Sequence, residues 1–173
     1  MSSVVISGDT SGTVSLTVPT VAGTNTATLP AATGTVMVSG NMPAFSAYPS
    51  SAQSVTSATF TKILFQNEVF DTNNNFANST FTPTVAGYYQ LNAYLSPNTS
   101  NTRALVTLYK NGSRVAVLAD MAVNMNTNGG STLIYMNGTT DYVEVWGYLV
   151  GVGPQWNSAS DSTYFSGCLV RSA

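Results

Sequence analysis

The chain has no histidine and a single cysteine, Cys168. The missing histidine removes the usual general base, Ser-His-Asp triads and the common zinc sites. The single cysteine excludes an intrachain disulfide. Cys168 sits in the apolar run FSGCLV and, with no base to activate it, reads as a small buried hydrophobe. Charge is scarce too: 7% of residues are Asp, Glu, Lys or Arg, against about 25% in an ordinary domain. Five are Lys or Arg, and the formal net charge is −2. Such a chain lacks the clustered positive charge that nucleic acid or an anionic membrane surface requires. Long apolar runs are absent, so no transmembrane helix and no membrane insertion are expected. The opening MSSVVISGDT has no basic stretch followed by an apolar one, so no secretory signal is expected and synthesis is placed in a cytosol.

In place of charge stand Asn, Ser, Thr and Gly. The mean hydropathy of +0.11 is too high for a disordered chain, and 173 residues are enough for one domain with its own core. Gly, Pro and Asn recur every few residues, with Val, Thr, Tyr and Phe between them, which reads as all-β. The pattern changes near residue 40. Before it, Gly-Thr occurs at 12–13, 23–24 and 34–35, an 11-residue period. The units are GTVSLTVPTVA, GTNTATLPAAT and GTVMVSGNMPA. Each is expected to give a short alternating strand (Val14, Leu16, Val18; Leu29; Val36, Val38) closed by a Pro or Gly turn. One such strand cannot bury its apolar face alone and needs stacked neighbours or sister chains. Residues 1–40 are therefore read as an ordered β-repeat arm, and 41–173 as a β head.

In the head, strands are expected at 43–48, 60–65, 76–82, 87–96, 103–110, 114–122, 130–136, 141–150 and 163–170. Asn111-Gly112 between two apolar runs is a strong hairpin signal. Several strands are apolar on both faces. In FTPTVAGYYQLNAYL, Tyr89, Leu91, Ala93 and Leu95 share one face, Tyr88 and Tyr94 the other. In DYVEVWGYLV, Val143, Val145 and Leu149 oppose Tyr142, Trp146, Tyr148 and Val150. A single sandwich wets one face of each sheet, so the second apolar face is expected to be covered by a sister chain.

Residues 60–97 carry a family likeness. TKILFQNEVFDTNNNFANSTFTPTVAGYYQLNAYL resembles the C1q-like head, a tumour-necrosis-factor-type jelly roll, through Asn67, Phe70, Phe81, Gly87, Tyr89 and Leu91. Leu91 and Ala93 replace two of the family's aromatics. AFSA at 44–47, LVTLYKNG at 105–112, GGSTLIYMNGTTDYVEVWGY and TYFSGCLV at 163–170 match further family segments in order. The resemblance implies a homotrimer. The arm segment LTVPTVAGTNTATLPAATGTVMVSG looks like segments of tail-fibre and other virion proteins of tailed bacteriophages.

The acidic and Asn-rich segments offer little further chemistry. Glu68/Asp71 and Asp141/Glu144 are each three apart, which within a strand points them to opposite faces. Nothing in the sequence makes them converge as a glycosidase requires, so no catalytic residue is assigned. DTNNNF at 71–76 begins like an EF-hand loop, but Phe76 and Thr82 stand where Gly and Glu belong. A calcium site of another geometry, which some C1q-like heads have, stays open; otherwise this is a polar turn. The sequons at Asn78, Asn98, Asn111 and Asn137 are ascribed to chance in a chain so rich in Asn, Ser and Thr.

The expectation is thus a non-enzymatic, all-β C1q/TNF-like jelly-roll sandwich forming a homotrimer on a phage particle surface. Residues 1–40 would bind other virion proteins or form a trimeric stem. The trimer interface is assigned to Tyr89, Leu91, Tyr142, Trp146, Tyr148 and Phe165. Contact with a host glycan or outer-membrane component is assigned to Trp156, Asn98 and Asn126, in loops 97–103, 124–130 and 151–162. Tail fibre and capsid decoration both fit. A polysaccharide depolymerase and a secreted cellular C1q-like module are the alternatives.

Overall fold

The computed structural model describes residues 3–21, 23–28, 31, 33, 34, 36–122 and 128–173. The strands are β1 (Ser3–Ser7), β2 (Thr13–Thr17), β3 (Ala44–Tyr48), β4 (Gln53–Ser54), β5 (Thr61–Lys62), β6 (Asn67–Asp71), β7 (Phe76–Ala77) and β8 (Thr80–Phe81). They continue as β9 (Gly87–Leu95), β10 (Asn101–Lys110), β11 (Ser113–Ala122), β12 (Asn128–Met136), β13 (Val143–Gly151), β14 (Gln155–Trp156) and β15 (Tyr164–Ser172). The only helical turn among the described residues is a 3-10 turn at Ser39–Asn41. The chain divides into two compact units, 1–34 and 35–173.

In the first unit, β1 and β2 form an antiparallel hairpin with Val4 opposite Leu16 and Ile6 opposite Val14. The Gly8 N–H donates to the Gly12 carbonyl (2.9 Å) and closes the turn. Among the described residues only the first Gly-Thr unit is a strand, and its partner is Ser3–Ser7 rather than another repeat. The second and third units carry no strand among their described residues; Leu29 lies outside them. Backbone groups need a partner to hold an extended strand, and for the first unit β1 supplies it.

In the second unit two sheets pack face to face. One runs β12-β9-β15-β3-β6 and the other β11-β10-β13-β8-β7, with β5 also on β13. A two-stranded piece, β14-β4, lies apart from both. The long strands fall where alternation places them. The expected strand 76–82 instead breaks into the tight hairpin β7–β8, with Asn78 and Ser79 at positive φ. Strand β6, within NEVFD, was not anticipated. At 111–112 the expected turn forms with φ of 52° at Asn111 and 78° at Gly112. Both central residues are left-handed, as a type I′ turn demands.

The core between the sheets is aromatic at its centre. Phe45 stacks on Phe81 (4.2 Å between centroids) and Phe76 (5.0 Å), and meets Phe165 edge-on (4.8 Å). Tyr89 is fully buried, donates its hydroxyl to the Val85 carbonyl (2.7 Å), and burial pushes its pKa up to about 12. Leu91 and Phe165 are fully buried beside it. These three side chains, assigned from sequence to an interface, are therefore core. The alternation along β9 is the expected one, but the face holding Leu91, Ala93 and Leu95 turns inward. Trp156, assigned to a sugar-stacking surface, is also fully buried. Its indole lies against Gly147, where a Cβ would sit 2.7 Å from Nε1, so only glycine admits the ring.

The outer face of the second sheet is covered largely from within the chain. Phe60, just ahead of β5, packs on Tyr148 (5.0 Å), and Tyr109 stacks on Trp146 (4.8 Å). Beneath this strip Thr107 is wholly buried although it points away from the core, and its hydroxyl donates to the Trp146 carbonyl (2.8 Å). Arg103 and Arg114 lie over the Tyr148 and Phe60 rings. Trp146, Tyr148 and Tyr142 are thus half-buried on this outer side rather than on a bare apolar face. The aromatic rings that suggested a missing partner here cover one another.

A candidate self-association face

The outer face of the other sheet is different. Along β9 it presents Tyr88, Gln90, Asn92 and Tyr94, the residues alternating with the buried ones. Pairing registers carry the pattern sideways. Leu133, Gln90, Cys168 and Ala44 stand abreast on β12, β9, β15 and β3. Ser131, Asn92, Ser166, Ser46 and Phe70 form the adjacent row, ending on β6. Towards one end Tyr88 meets Tyr135 (5.5 Å), and towards the other Tyr94 stacks on Tyr164 (5.2 Å). Burial raises the Tyr164 pKa, and the neighbouring Tyr94 adds to the effect.

None of these residues is charged; the one charge in register with them is Arg171, which stands abreast of Tyr88 at the end of β15. Tyr88 is 42% exposed, Tyr135 43%, Phe70 48% and Leu133 53%. Cys168 is exposed in the middle of the face, which corrects its reading as a buried hydrophobe: in FSGCLV it shares parity with Ser166, not Phe165. Five strands about 4.8 Å apart and about seven residues long at about 3.3 Å each give a face of roughly 550 Å² before side-chain relief. A specific interface buries about 800 Å² per partner, and its centre is poor in charge and rich in tyrosine. This face has the chemistry of a protein contact, and its flat area is a large part of what one partner buries.

Most charged groups of the head lie elsewhere, and three ion pairs act as ties. At one end Lys110 pairs with Asp141 (2.7 Å) and donates to the Tyr135 carbonyl (2.7 Å). The Asn111 amide donates to the other Asp141 oxygen (2.7 Å), and the Asn137 N–H also reaches the carboxylate (2.9 Å). Hydrogen bonds from Lys110 and Asn111 hold the Asp141 pKa below the usual carboxylate range. Two turns, 111–112 and 137–141, are locked together this way. Glu144 is pushed up by burial, but bonds from Lys62 and Trp146 outweigh this and keep it low. Asp71 accepts the Asn73 and Phe76 amides (3.3 and 2.6 Å), and Asn75 caps Asn73, so 71–76 is a capped polar turn. Among the described residues no three His, Cys, Asp or Glu side chains gather. Asn98 is exposed, with its amide committed to Gln155 (2.7 Å). Asn126 lies outside the described residues.

A two-sheet jelly roll with an aromatic centre, an Asn-Gly turn tied to an Asp-bearing turn, and a closing Phe-Ser-Gly strand in the sheet centre is a family arrangement. The C1q domain matches residues 44–170 of the chain. The chain belongs to the C1q domain family. Solved structures carry the same fold at low identity. Murine APRIL is 10% identical with a TM-score of 0.61, over 75% of this chain and 99% of that one. The globular domain of zebrafish complement 1qA is 19% identical with a TM-score of 0.54, over 76% and 99%. Eiger TNF from S. frugiperda is 8% identical with a TM-score of 0.55, over 76% and 93%. No curated protein matches the chain.

Proposed function

We propose that this C1q-type chain is a homotrimeric, non-enzymatic binding module, held together through the outer face of β12-β9-β15-β3-β6. The observation that carries the reading is the charge-poor, tyrosine-bearing face described above. The threefold state is what the family resemblance implies, and C1q/TNF-like domains generally serve as binding modules rather than enzymes. The test is the mass of the purified chain in solution. Light scattering should return about three times 18.1 kDa. A monomer at high concentration would refute it.

We place this module on a phage particle, as a short fibre or capsid decoration attached by residues 1–40. Support comes from the arm's likeness to virion segments and from the neutral, hydroxyl-rich composition. Host glycan or an outer-membrane component is the proposed outer ligand. Asn98 remains a candidate contact; Trp156 does not, being buried. Cryo-electron microscopy of particles tests the placement: density for the head at capsid threefold or quasi-sixfold positions assigns decoration, density on the tail assigns a fibre, and absence from particles refutes both. The animal origin of the solved relatives favours a second reading, a cellular C1q-like module, which the last outcome would support.

A further inference from the structure

The β1–β2 hairpin has two unlike faces. Paired residues point to the same side, so Val4, Ile6, Val14 and Leu16 form one aliphatic face. Ser7, Thr13, Ser15 and Thr17 lie on the other, with Val5. The four aliphatic side chains are 57–63% exposed. A lone two-stranded hairpin is marginal in water, and three or more strands with a covered apolar face are needed for stability. The hairpin as one chain forms it is therefore incomplete.

We propose that the aliphatic faces of the hairpins from the copies of one oligomer cover each other, making a small second core at the arm. The occupant is another copy of the same hairpin for three reasons. The face has no charge and no hydrogen-bonding group, so it offers nothing by which a foreign protein would be chosen; Asp9 sits in the turn, off the face. The cross-strand pairs Val4–Leu16 and Ile6–Val14 are aliphatic throughout, so the face is complementary to itself. Four aliphatic side chains fall well short of the ~800 Å² per partner that an independent interface buries. Tethering makes up the difference: copies joined through their heads hold their arms at an effective concentration on the order of millimolar. The inference thus rests on self-association of the head.

The test uses the full chain. The arm has no Lys or Arg, so elastase rather than trypsin is the probe. Cleavage within residues 1–34 should be roughly tenfold slower in the wild type than in Leu16→Asp, while both keep the trimer mass. In a Cys168→Ser background, Ile6→Cys should be joined between copies by a short bismaleimide, and Ser15→Cys, on the hydroxyl face, far less. A trimer whose arm is cut as fast as that of Leu16→Asp, or whose two cysteine variants crosslink alike, overturns the inference and leaves the head reading intact. A wild-type monomer overturns the head reading first and this one with it.

Discussion

At Asp141 one carboxylate accepts from Lys110, Asn111 and Asn137, so a single side chain ties two turns. Asp141→Asn removes the charge that Lys110 faces and should cost about 1–3 kcal/mol in urea denaturation at neutral pH. The sign of its pH dependence follows from the lowered pKa. The contribution is present above the ordinary carboxylate value near 4 and is lost as pH falls through the folded value. The gap between wild type and variant should therefore close in acid, and a gap that stays constant would place the stabilisation elsewhere. Two residues show the reach of sequence at this scale. Trp156 sits among Gly, Pro, Gln and Asn, which reads locally as a loop; its burial comes from Gly147 and lies outside any local window. Cys168 is the opposite case, since strict alternation with Phe165 and Leu169 was enough to turn it outward.

At the scale of the strand, parity is legible from the period of two, and direction only from the chemistry of the two sides. Nothing in the period of two says which side meets the other sheet. The chemistry of the sides did say it: Leu91, Ala93 and Leu95 are wholly apolar, whereas Gln90, Asn92 and the hydroxyls of Tyr88 and Tyr94 suit a face that meets water or a partner. Tyr89 misled because its buried hydroxyl has its own acceptor, the Val85 carbonyl. The two tyrosines give a paired prediction. Tyr89→Asp puts an unpaired charge into the core and should abolish folding by circular dichroism. Tyr88→Asp, on the outer face, should leave a folded chain of reduced oligomeric mass. Loss of folding in both, or unchanged mass in Tyr88→Asp, would remove that face from the interface. Strand β6 escaped notice because NEVFD lies at a sheet edge and is exposed along its middle, so no alternation marks it.

For the whole molecule, scarcity of charge has a measurable sign. The ion pairs are ties within one chain, and the β9-centred face carries little charge to be screened, with Arg171 abreast of Tyr88 at one end. Raising salt from low ionic strength to about 1 M shortens the Debye length to about 3 Å and should leave the oligomer mass unchanged or strengthened. Dissociation by salt would mean that charges outside this face hold the copies together. The two-faced strands that first suggested a partner turned out to have two explanations. On the second sheet Phe60 and Tyr109 close the face internally, through contacts between residues far apart in the chain. On the first sheet no segment of the same chain does so among the described residues.

Cys168 turns this uncovered sheet into its own gauge. The chain's single thiol stands abreast of Gln90 and Ala44 at the middle of the face. A maleimide dye should therefore modify dissociated protein quickly and assembled protein slowly. Labelling speed followed down a dilution series would then yield the strength of assembly from unaltered material, without any engineered probe.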